Sequence, residues 1–282
     1  MINFGARGHD VTWADTPELL AQGLAGYGVH NVQLALPKSF PNLASGTREI
    51  NPGMGSYIRR VLASRGVDIA VMGCYMNIVH PDPTERERLL RRFEAYLANA
   101  RFFGAPVVAT ETGSVDAGPG RYTEDNFTED MYQQALASIK RLVAFGERVG
   151  TMVGVEPGAN HPIYDLETTK RLIDDVDSPY LGIVFDPTAC TTPNGRTVDG
   201  SGQVAITRRA FDLFGERIVA VHIDDFTVDE TNIHRCNVDE GVMDVRSVLE
   251  IVAAKRPLVP VILEHTTDEA IARTVRRYGD IE

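Results

Sequence analysis

The stretch LGIVFDP, Leu181–Pro187, is a short apolar run that ends in one acidic residue before a proline. Such a run is typical of a parallel β-strand that is buried on both faces. Three other runs share this form, and in each an ionisable residue follows the apolar residues: MVGVEP (Met152–Pro157), IVAVHIDD (Ile218–Asp225) and VPVILEH (Val259–His265). The recurrence predicts a parallel β/α protein with polar groups at the carboxyl ends of its strands.

Further apolar runs extend this pattern along the whole chain and alternate with helical periodicity. The predicted strands are Ile2–Phe4, Asn31–Leu36, Ile69–Tyr75, Pro106–Thr110, Met152–Glu156, Leu181–Asp186, Ile218–Ile223 and Leu258–Glu264. The predicted helices are Thr16–Tyr27, Thr84–Phe103, Glu129–Val149, Asp165–Asp174, Gln203–Phe214 and Val245–Ala254. Glycines at helix-to-strand joints are expected helix ends: Gly28, Gly66, Gly104 and Gly150.

Strand–helix alternation of this extent predicts a closed (β/α)8 barrel, with a doubly wound open sheet or fewer strands as the alternative. We expect one domain over residues 1–282, because no linker or shift in composition divides the chain. Two long loops, Gly113–Asn126 and Asp225–Asp239, are predicted after strands. In such barrels the loops after strands form the functional face.

Composition restricts the class of protein. The net charge of -11 disfavours nucleic acid as a partner, since affinity for phosphate backbones comes mainly from Lys and Arg. The three cysteines, Cys74, Cys190 and Cys236, form no CxxC pair, which favours a reducing compartment over a disulfide framework. The N-terminal residues have no secretory-signal pattern, and no apolar stretch approaches the ~20 residues of a membrane span. We therefore expect a cytoplasmic protein that binds no membrane.

The ionisable residues at four consecutive strand ends are Glu156, Asp186, His222 and Glu264. Any one of them alone is more often a helix cap or an ion-pair partner than a ligand. Four strands of one barrel would aim them at one point, where unpaired charges would repel and be costly to desolvate. A divalent cation removes that cost. Three carboxylates and one imidazole suit Mn or Mg, with Co, Fe or Zn as alternatives.

Histidines cluster on the same predicted face. Six of the seven lie at or after strand carboxyl ends: His9, His80, His161, His222, His234 and His265. A lone histidine is usually structural, but six on one face indicate a polar mouth that handles protons. His80, His161, Arg235 and Glu111 are the predicted substrate-binding residues. Glu111 is a weaker candidate, as is Arg7, and for Arg235 a solvated loop arginine is an equal alternative.

Several motifs, in this order and each at a strand end, carry a resemblance that spans nearly the whole chain. They are Asn77 with His80–Pro81, ANARFFGAPVV (Ala98–Val108), VEPGANHP (Val155–Pro162), DSPYLGIVFDP (Asp177–Pro187), VHIDD (Val221–Asp225), DEGVMD (Asp239–Asp244) and VILEH (Val261–His265). With them the sequence resembles the sugar phosphate isomerase/epimerase family of xylose isomerase-like TIM barrels. That group includes ketose 3-epimerases and inosose dehydratases.

The resemblance implies that Glu156, Asp186, His222 and Glu264 are metal ligands, and that Glu156 and Glu264 also form the catalytic acid/base pair. Three positions depart from relatives. Ala189 stands where ketose 3-epimerases and the DNA-repair endonuclease branch have a histidine, which argues against that endonuclease branch. Asp224 stands where many relatives have lysine, and Asp239 stands where the family's glycine-rich segment begins with glycine.

The implied function is a divalent-metal-dependent isomerase or epimerase of a small carbohydrate, acting through a metal-stabilised enediolate. The alternative is a lyase, a dehydratase or β-eliminating enzyme on a keto-sugar, with His80 or His161 as an acid. A non-catalytic sugar-binding relative is the third hypothesis, and the intact ligand set disfavours it. With only four lysines and no glycine-rich phosphate cradle, the chain favours an unphosphorylated substrate. Relatives are often homo-oligomers, dimers or tetramers.

Overall fold

A closed barrel of eight parallel strands forms the body of the computed structural model. The structure describes residues 1–118, 121–190, 201–229 and 233–281. The barrel strands are β1 (Asn3–Arg7), β2 (Asn31–Leu34), β3 (Asp68–Gly73), β4 (Val107–Glu111), β5 (Met152–Glu156), β6 (Leu181–Phe185), β7 (Ile218–Ile223) and β10 (Pro260–Leu263). Each strand pairs with its sequence neighbour in the barrel, and β10 closes the ring against β1. The predicted (β/α)8 barrel is confirmed.

Helices follow the barrel strands along the chain. They are α1 (Pro17–Tyr27), α2 (Leu36–Ser39), α3 (Pro52–Ala63), α4 (Pro83–Phe103), α5 (Glu129–Val149), α6 (Leu166–Val176), α7 (Ser201–Phe214), α8 (Val245–Lys255) and α9 (Glu269–Tyr278). All four glycines predicted to end helices have positive φ, from 71° to 79°. No helix in the described part of the chain is long and apolar enough to cross a membrane. The assignment of residues 1–282 to one domain stays a prediction.

The pairing register of the barrel strands places their carboxyl ends at one level. Glu111 pairs with Glu156 across β4 and β5, and His222 pairs with Ile262 across β7 and β10. The backbone N–H of Glu264 donates to the carbonyl of Ile223 at 2.9 Å. The polar residues that end the apolar runs are thereby brought to the same face of the barrel.

The segment Asp225–Asp239 differs from its prediction as a loop. It contains a two-stranded antiparallel sheet of β8 (Asp225–Val228) and β9 (Ile233–Cys236). Four-residue strands are too short for a clear alternation of apolar and polar side chains, so sequence periodicity does not reveal them. Residues 230–232 of this segment, like residues 119 and 120 of the predicted loop Gly113–Asn126, lie outside the described residues.

The Asp225 carboxylate holds this hairpin to the turn that precedes α8. Asp225 is 1% exposed. Its Oδ1 accepts hydrogen bonds from the backbone N–H groups of Phe226 at 2.8 Å and Met243 at 2.9 Å. Its Oδ2 accepts from those of Asp239 at 3.1 Å and Gly241 at 3.0 Å. One buried carboxylate therefore satisfies four backbone donors.

We expect Asp225→Asn to destabilise the protein by at least about 2 kcal/mol, because the amide NH₂ would face two backbone donors at about 1–3 kcal/mol each. The measurement is the free energy of unfolding in urea. Asp212→Asn is the matched control. Asp212 pairs with Lys255 at 3.2 Å, its side chain is 68% exposed, and its replacement should shift stability by less than about 0.5 kcal/mol. Equal stability of the two variants would contradict the role given to Asp225.

Candidate active site

A cavity of about 190 Å³ opens at the carboxyl ends of the barrel strands. A volume of this order admits one small molecule rather than a polymer. Four acidic and three basic side chains line it: Glu111, Glu156, Asp186 and Glu264, with Arg7, Lys38 and Arg235. His9 and His265 also line it. The predicted polar mouth is present, and its wall carries both signs of charge.

Three of the four predicted metal ligands, Glu156, His222 and Glu264, stand together, and the two glutamates line this cavity. His222 is fully buried, and Glu156 and Glu264 are 6% and 8% exposed. The Nδ1 atom of His222 lies 3.2 Å from Glu156 Oε1 and 3.2 Å from Glu264 Oε1. One ligand atom from each residue lies within 4.8 Å of the other two. Two carboxylates thus converge on one imidazole nitrogen.

Gln33 and Tyr75, which sequence reasoning missed, complete a hydrogen-bonded ring around this group. His222 Nε2 lies 2.8 Å from Gln33 Oε1, where the carboxamide oxygen accepts the Nε2–H. Gln33 Nε2 donates to the Tyr75 hydroxyl at 3.2 Å, and Tyr75 donates to Glu156 Oε2 at 2.6 Å. Because Gln33 accepts the Nε2–H, Nδ1 is the ring nitrogen that faces the two carboxylates, and it would ligate a cation once the cation displaces its proton.

The signal for these two residues is present in the sequence, although weak. Gln33 is the only amide between apolar residues in the segment Val32–Ala35, and it is 2% exposed. A polar residue buried within a strand requires a partner inside the fold. Tyr75 ends the run Ile69–Tyr75 at the level of the acidic strand ends. Neither pattern alone names the partner.

The close carboxylates shift the pKa values of the group. Burial alone would lower the pKa of His222, but Glu156 and Glu264 outweigh it and raise that pKa to about 9. Burial, with the negative charge of Glu156, raises the pKa of Glu264 against the opposing effect of His222 and Arg7. Burial and the neighbouring carboxylates also raise the pKa of Tyr75, so its hydroxyl keeps the proton that it donates. The group therefore carries an excess of negative charge that attracts a cation.

Asp186, the fourth predicted ligand, lies in the wall of the same cavity and contacts Arg235. Its Oδ1 accepts the backbone N–H of Thr188 at 2.6 Å, and its Oδ2 lies 3.4 Å from Arg235 Nη2. Arg235 also donates from Nη1 to Asp224 Oδ2. Burial, with the charge of Asp186, raises the pKa of Asp224 to about 8. The hairpin strand β9 thus places a guanidinium between two buried carboxylates.

Arg7, at the end of the neighbouring strand β1, also holds Glu264; β1 and β7, which carries His222, flank β10 in the barrel. Its guanidinium donates to Asp10 at 2.8 and 3.1 Å, and its Nη1 lies 3.3 Å from Glu264 Oε1. This bidentate pair with Asp10 fixes the guanidinium. The side chain of Glu264 is therefore positioned by His222 and Arg7 together.

Glu111 and His161 form a second polar pair near the mouth. His161 Nε2 lies 3.6 Å from Glu111 Oε1, and its Nδ1 lies 2.7 Å from the Gly113 carbonyl oxygen. Burial lowers the pKa of His161, but Glu111 and that carbonyl outweigh burial and raise it. A protonated His161 would be a proton donor close to the cavity.

The other predicted histidines lie elsewhere. His80 is not among the described residues that line the cavity; its Nδ1 accepts the backbone N–H of Asp82 at 3.1 Å, at the start of α4. His234 pairs with Asp229 at 2.7 Å, and both side chains are more than half exposed. The assignment of His80 to substrate binding remains a prediction.

A family model described as xylose isomerase-like TIM barrel matches residues 22–279. The chain belongs to the xylose isomerase-like TIM barrel family. This match confirms the resemblance drawn from the strand-end motifs. No match to the chain was found among curated protein sequences.

Solved structures of similar fold are named for different reactions. The probable 3-DHS dehydratase AsbF from Bacillus anthracis is 14% identical, with a TM-score of 0.74 and all of both chains covered. The 3-keto-D-glucoside 4-epimerase YcjR from E. coli is 14% identical, with a TM-score of 0.74 and 99% of each chain covered. A xylose isomerase-like protein from Mycobacterium smegmatis in complex with magnesium is 15% identical, with a TM-score of 0.67 and 98% of this chain and 94% of that chain covered. At these identities the likeness shows the fold alone.

The donor set of this family member fits a divalent cation. Glu156 and Glu264 supply carboxylate oxygens, and Gln33 fixes the His222 tautomer that leaves Nδ1 free to ligate. Metal-ligating histidines usually donate their other ring N–H to such a partner. The set of one imidazole and carboxylates suits a hard or borderline cation.

Proposed function

We propose that the chain is a divalent-metal-dependent isomerase or epimerase of a small hydroxy-carbonyl compound related to a carbohydrate. The observation that carries the proposal is the pair of buried carboxylates, Glu156 and Glu264, each 3.2 Å from the same atom of His222. Two carboxylates beside one small cavity supply two proton carriers for one bound molecule. The epimerase among the structures of similar fold supports the choice of reaction.

Glu156, His222 and Glu264 would hold the ion, with Asp186 proposed as the fourth ligand. Mn or Mg is the proposed metal, with Co, Fe or Zn as alternatives. Bound there, the ion would polarise a carbonyl group of the substrate and hold it in place. The magnesium complex in the family supports this choice.

The two glutamates have different surroundings, which suits opposite roles in proton transfer. Tyr75 donates a hydrogen bond to Glu156, which stabilises the charged carboxylate that removes a carbon-bound proton. Glu264 instead lies 3.3 Å from Arg7 and follows a different strand, and it is the proposed group that returns the proton. Proton return on the opposite face of the same carbon gives an epimer, and return to the neighbouring carbon gives an isomer.

A lyase is the second candidate, and the Glu111–His161 pair favours it. His161 stands 3.6 Å from Glu111 and is held by the Gly113 carbonyl. A protonated imidazole placed there could protonate a departing β-hydroxyl after Glu156 has removed the proton. The probable dehydratase among the structures of similar fold supports this alternative.

Incubation of the Mn²⁺-loaded protein with keto- and aldo-sugars in deuterated water tests the proposal and separates the two candidates. An isomerase or epimerase is expected to incorporate carbon-bound deuterium into a product of otherwise unchanged composition, read by mass spectrometry and proton NMR. A lyase releases water from the substrate. If the protein binds these sugars but neither incorporates deuterium into them nor removes water from them, the isomerase and the lyase hypotheses both fail. The non-catalytic sugar-binding hypothesis would then replace them.

A further inference from the structure

Lys38 is a cation of the cavity wall that has no partner in the described part of the chain. It lies in α2, directly after β2, and lines the cavity. Its side chain makes no hydrogen bond or ion pair with any described residue, and the residue is exposed. An unpaired ammonium at the mouth of a binding cavity can accept a negative charge from a ligand without first breaking a contact.

The two other cations of the cavity already contact acidic side chains of the protein. Arg7 pairs with Asp10 at 2.8 Å and with Glu264 at 3.3 Å. Arg235 bonds to Asp224 and lies 3.4 Å from Asp186. Binding an anion to either guanidinium would compete with these buried contacts. Lys38 is therefore the favoured site for an anionic group.

The backbone beneath Lys38 is fixed. Its N–H donates to the Ala35 carbonyl at 3.0 Å, and the N–H of Phe40 donates to the Leu36 carbonyl at 2.8 Å. Leu36 and Phe40 are 0% and 1% exposed, so they anchor this turn in the core on both sides of Lys38. The ammonium thus extends from a rigid base, which lowers the entropy lost when it binds a ligand.

The charge of Lys38 reaches the other residues at the mouth. Burial chiefly lowers the pKa of His9, to about 3, and the charges of Arg7 and Lys38 add to this effect. Burial opposes the shift, but His161 chiefly, with a smaller contribution from Lys38, lowers the pKa of Glu111. His9 is therefore neutral and adds no second positive charge beside Lys38.

We infer that the substrate of this site is a hydroxy-carbonyl compound that also carries a carboxylate, and that Lys38 binds this carboxylate. The inference rests on the proposed function. A carboxylate is favoured over a phosphate because one ammonium balances a single negative charge, whereas a phosphate at pH 7 carries about -1.5 to -2. The neighbouring wall, with Glu111 and the acidic pairs of both arginines, would repel the additional charge.

Isothermal titration calorimetry on the Mn²⁺-loaded protein tests this inference with matched probes. D-Glucuronate and D-galacturonate are compared with D-glucose and D-galactose, and D-glucose 6-phosphate forms a separate arm. We expect the uronates to bind about tenfold more tightly than their neutral counterparts, as one charge-assisted contact provides. Lys38→Met should reduce this preference to less than about threefold. Lys140→Met, which removes an exposed lysine of α5 outside the cavity lining, should leave the preference unchanged.

The contrary outcomes are distinct. Equal binding of acids and neutral sugars to the wild-type protein, or a preference that survives Lys38→Met, overturns the inference. If D-glucose 6-phosphate binds more tightly than either uronate and Lys38→Met removes this difference, the substrate does not carry a carboxylate, and Lys38 is instead a site for phosphate. The proposed function fails separately, if Glu264→Gln leaves deuterium exchange intact, and that result does not depend on Lys38.

Discussion

Glu264→Gln is expected to slow carbon–hydrogen exchange on the substrate by about 10²–10⁴-fold, the usual contribution of a positioned general acid or base. The substitution keeps the size of the side chain and removes its proton-transfer capacity. It also places an NH₂ or a neutral oxygen beside Arg7, which lies 3.3 Å from Glu264 Oε1. The measurement is the rate of deuterium incorporation in deuterated water with the Mn²⁺-loaded protein.

Glu156→Gln is expected to cause a loss of the same order, because both carboxylates are needed for proton removal and proton return. Glu250→Gln is the matched control: this glutamate lies 3.9 Å from Arg246 on the surface, and its side chain is 55% exposed. Circular dichroism should show the same helical signal in all three variants. Near-wild-type exchange in either Gln variant, with bound metal unchanged, would remove that glutamate from proton transfer.

The barrel could be predicted from the sequence because its strands are buried on both faces. Such strands produce continuous apolar runs, and each ends sharply where the chain leaves the barrel, as at Asp186 and Glu264. The parallel topology then brings these ends to one level. The convergence of Glu156, His222 and Glu264 follows from this geometry, since each is the first ionisable residue after its apolar run.

Two kinds of local segment could not be predicted: one whose own helical signal is weak, and one whose structure depends on distant partners. Helix α3 begins PGMGS, where two glycines weaken the helical signal, although Asn51 caps it by accepting the Met54 N–H at 3.0 Å. The hairpin of β8 and β9 depends on the carboxylate of Asp225 and on backbone donors from the turn at Asp239–Met243. No periodicity in a four-residue strand carries that information.

The residues around the metal group were also beyond sequence reasoning, for the same cause. Gln33 and His222 are 189 positions apart, and only the closed barrel places them 2.8 Å from each other. Asp224 departs from the lysine that the resemblance leads one to expect, yet Arg235 supplies a cation against it from the hairpin. The positive charge beside Asp224 thus comes from strand β9 and not from the motif position itself, so a comparison of single motif positions does not reveal it.

His222→Asn is expected to abolish retention of Mn²⁺ during dialysis, since it removes the one nitrogen that lies 3.2 Å from both Glu156 and Glu264. Asp186→Asn should weaken retention as well, if Asp186 is the fourth ligand.

Gln33→Met is the more discriminating change, because it leaves every proposed ligand in place. Loss of the Gln33 carbonyl frees the Nε2–H of His222, so the tautomer with its proton on Nδ1 is no longer disfavoured. We expect about 10–100-fold weaker Mn²⁺ binding, the usual cost of losing such a partner. Manganese content by mass spectrometry and titration of free Mn²⁺ by electron paramagnetic resonance provide the measurement.

His30→Asn is the control, since His30 contacts the Gly66 carbonyl at 3.2 Å, away from the cavity lining. Wild-type affinity in Gln33→Met would show that the orientation of His222 does not depend on Gln33, and unchanged retention in His222→Asn would remove this histidine from the ligand set.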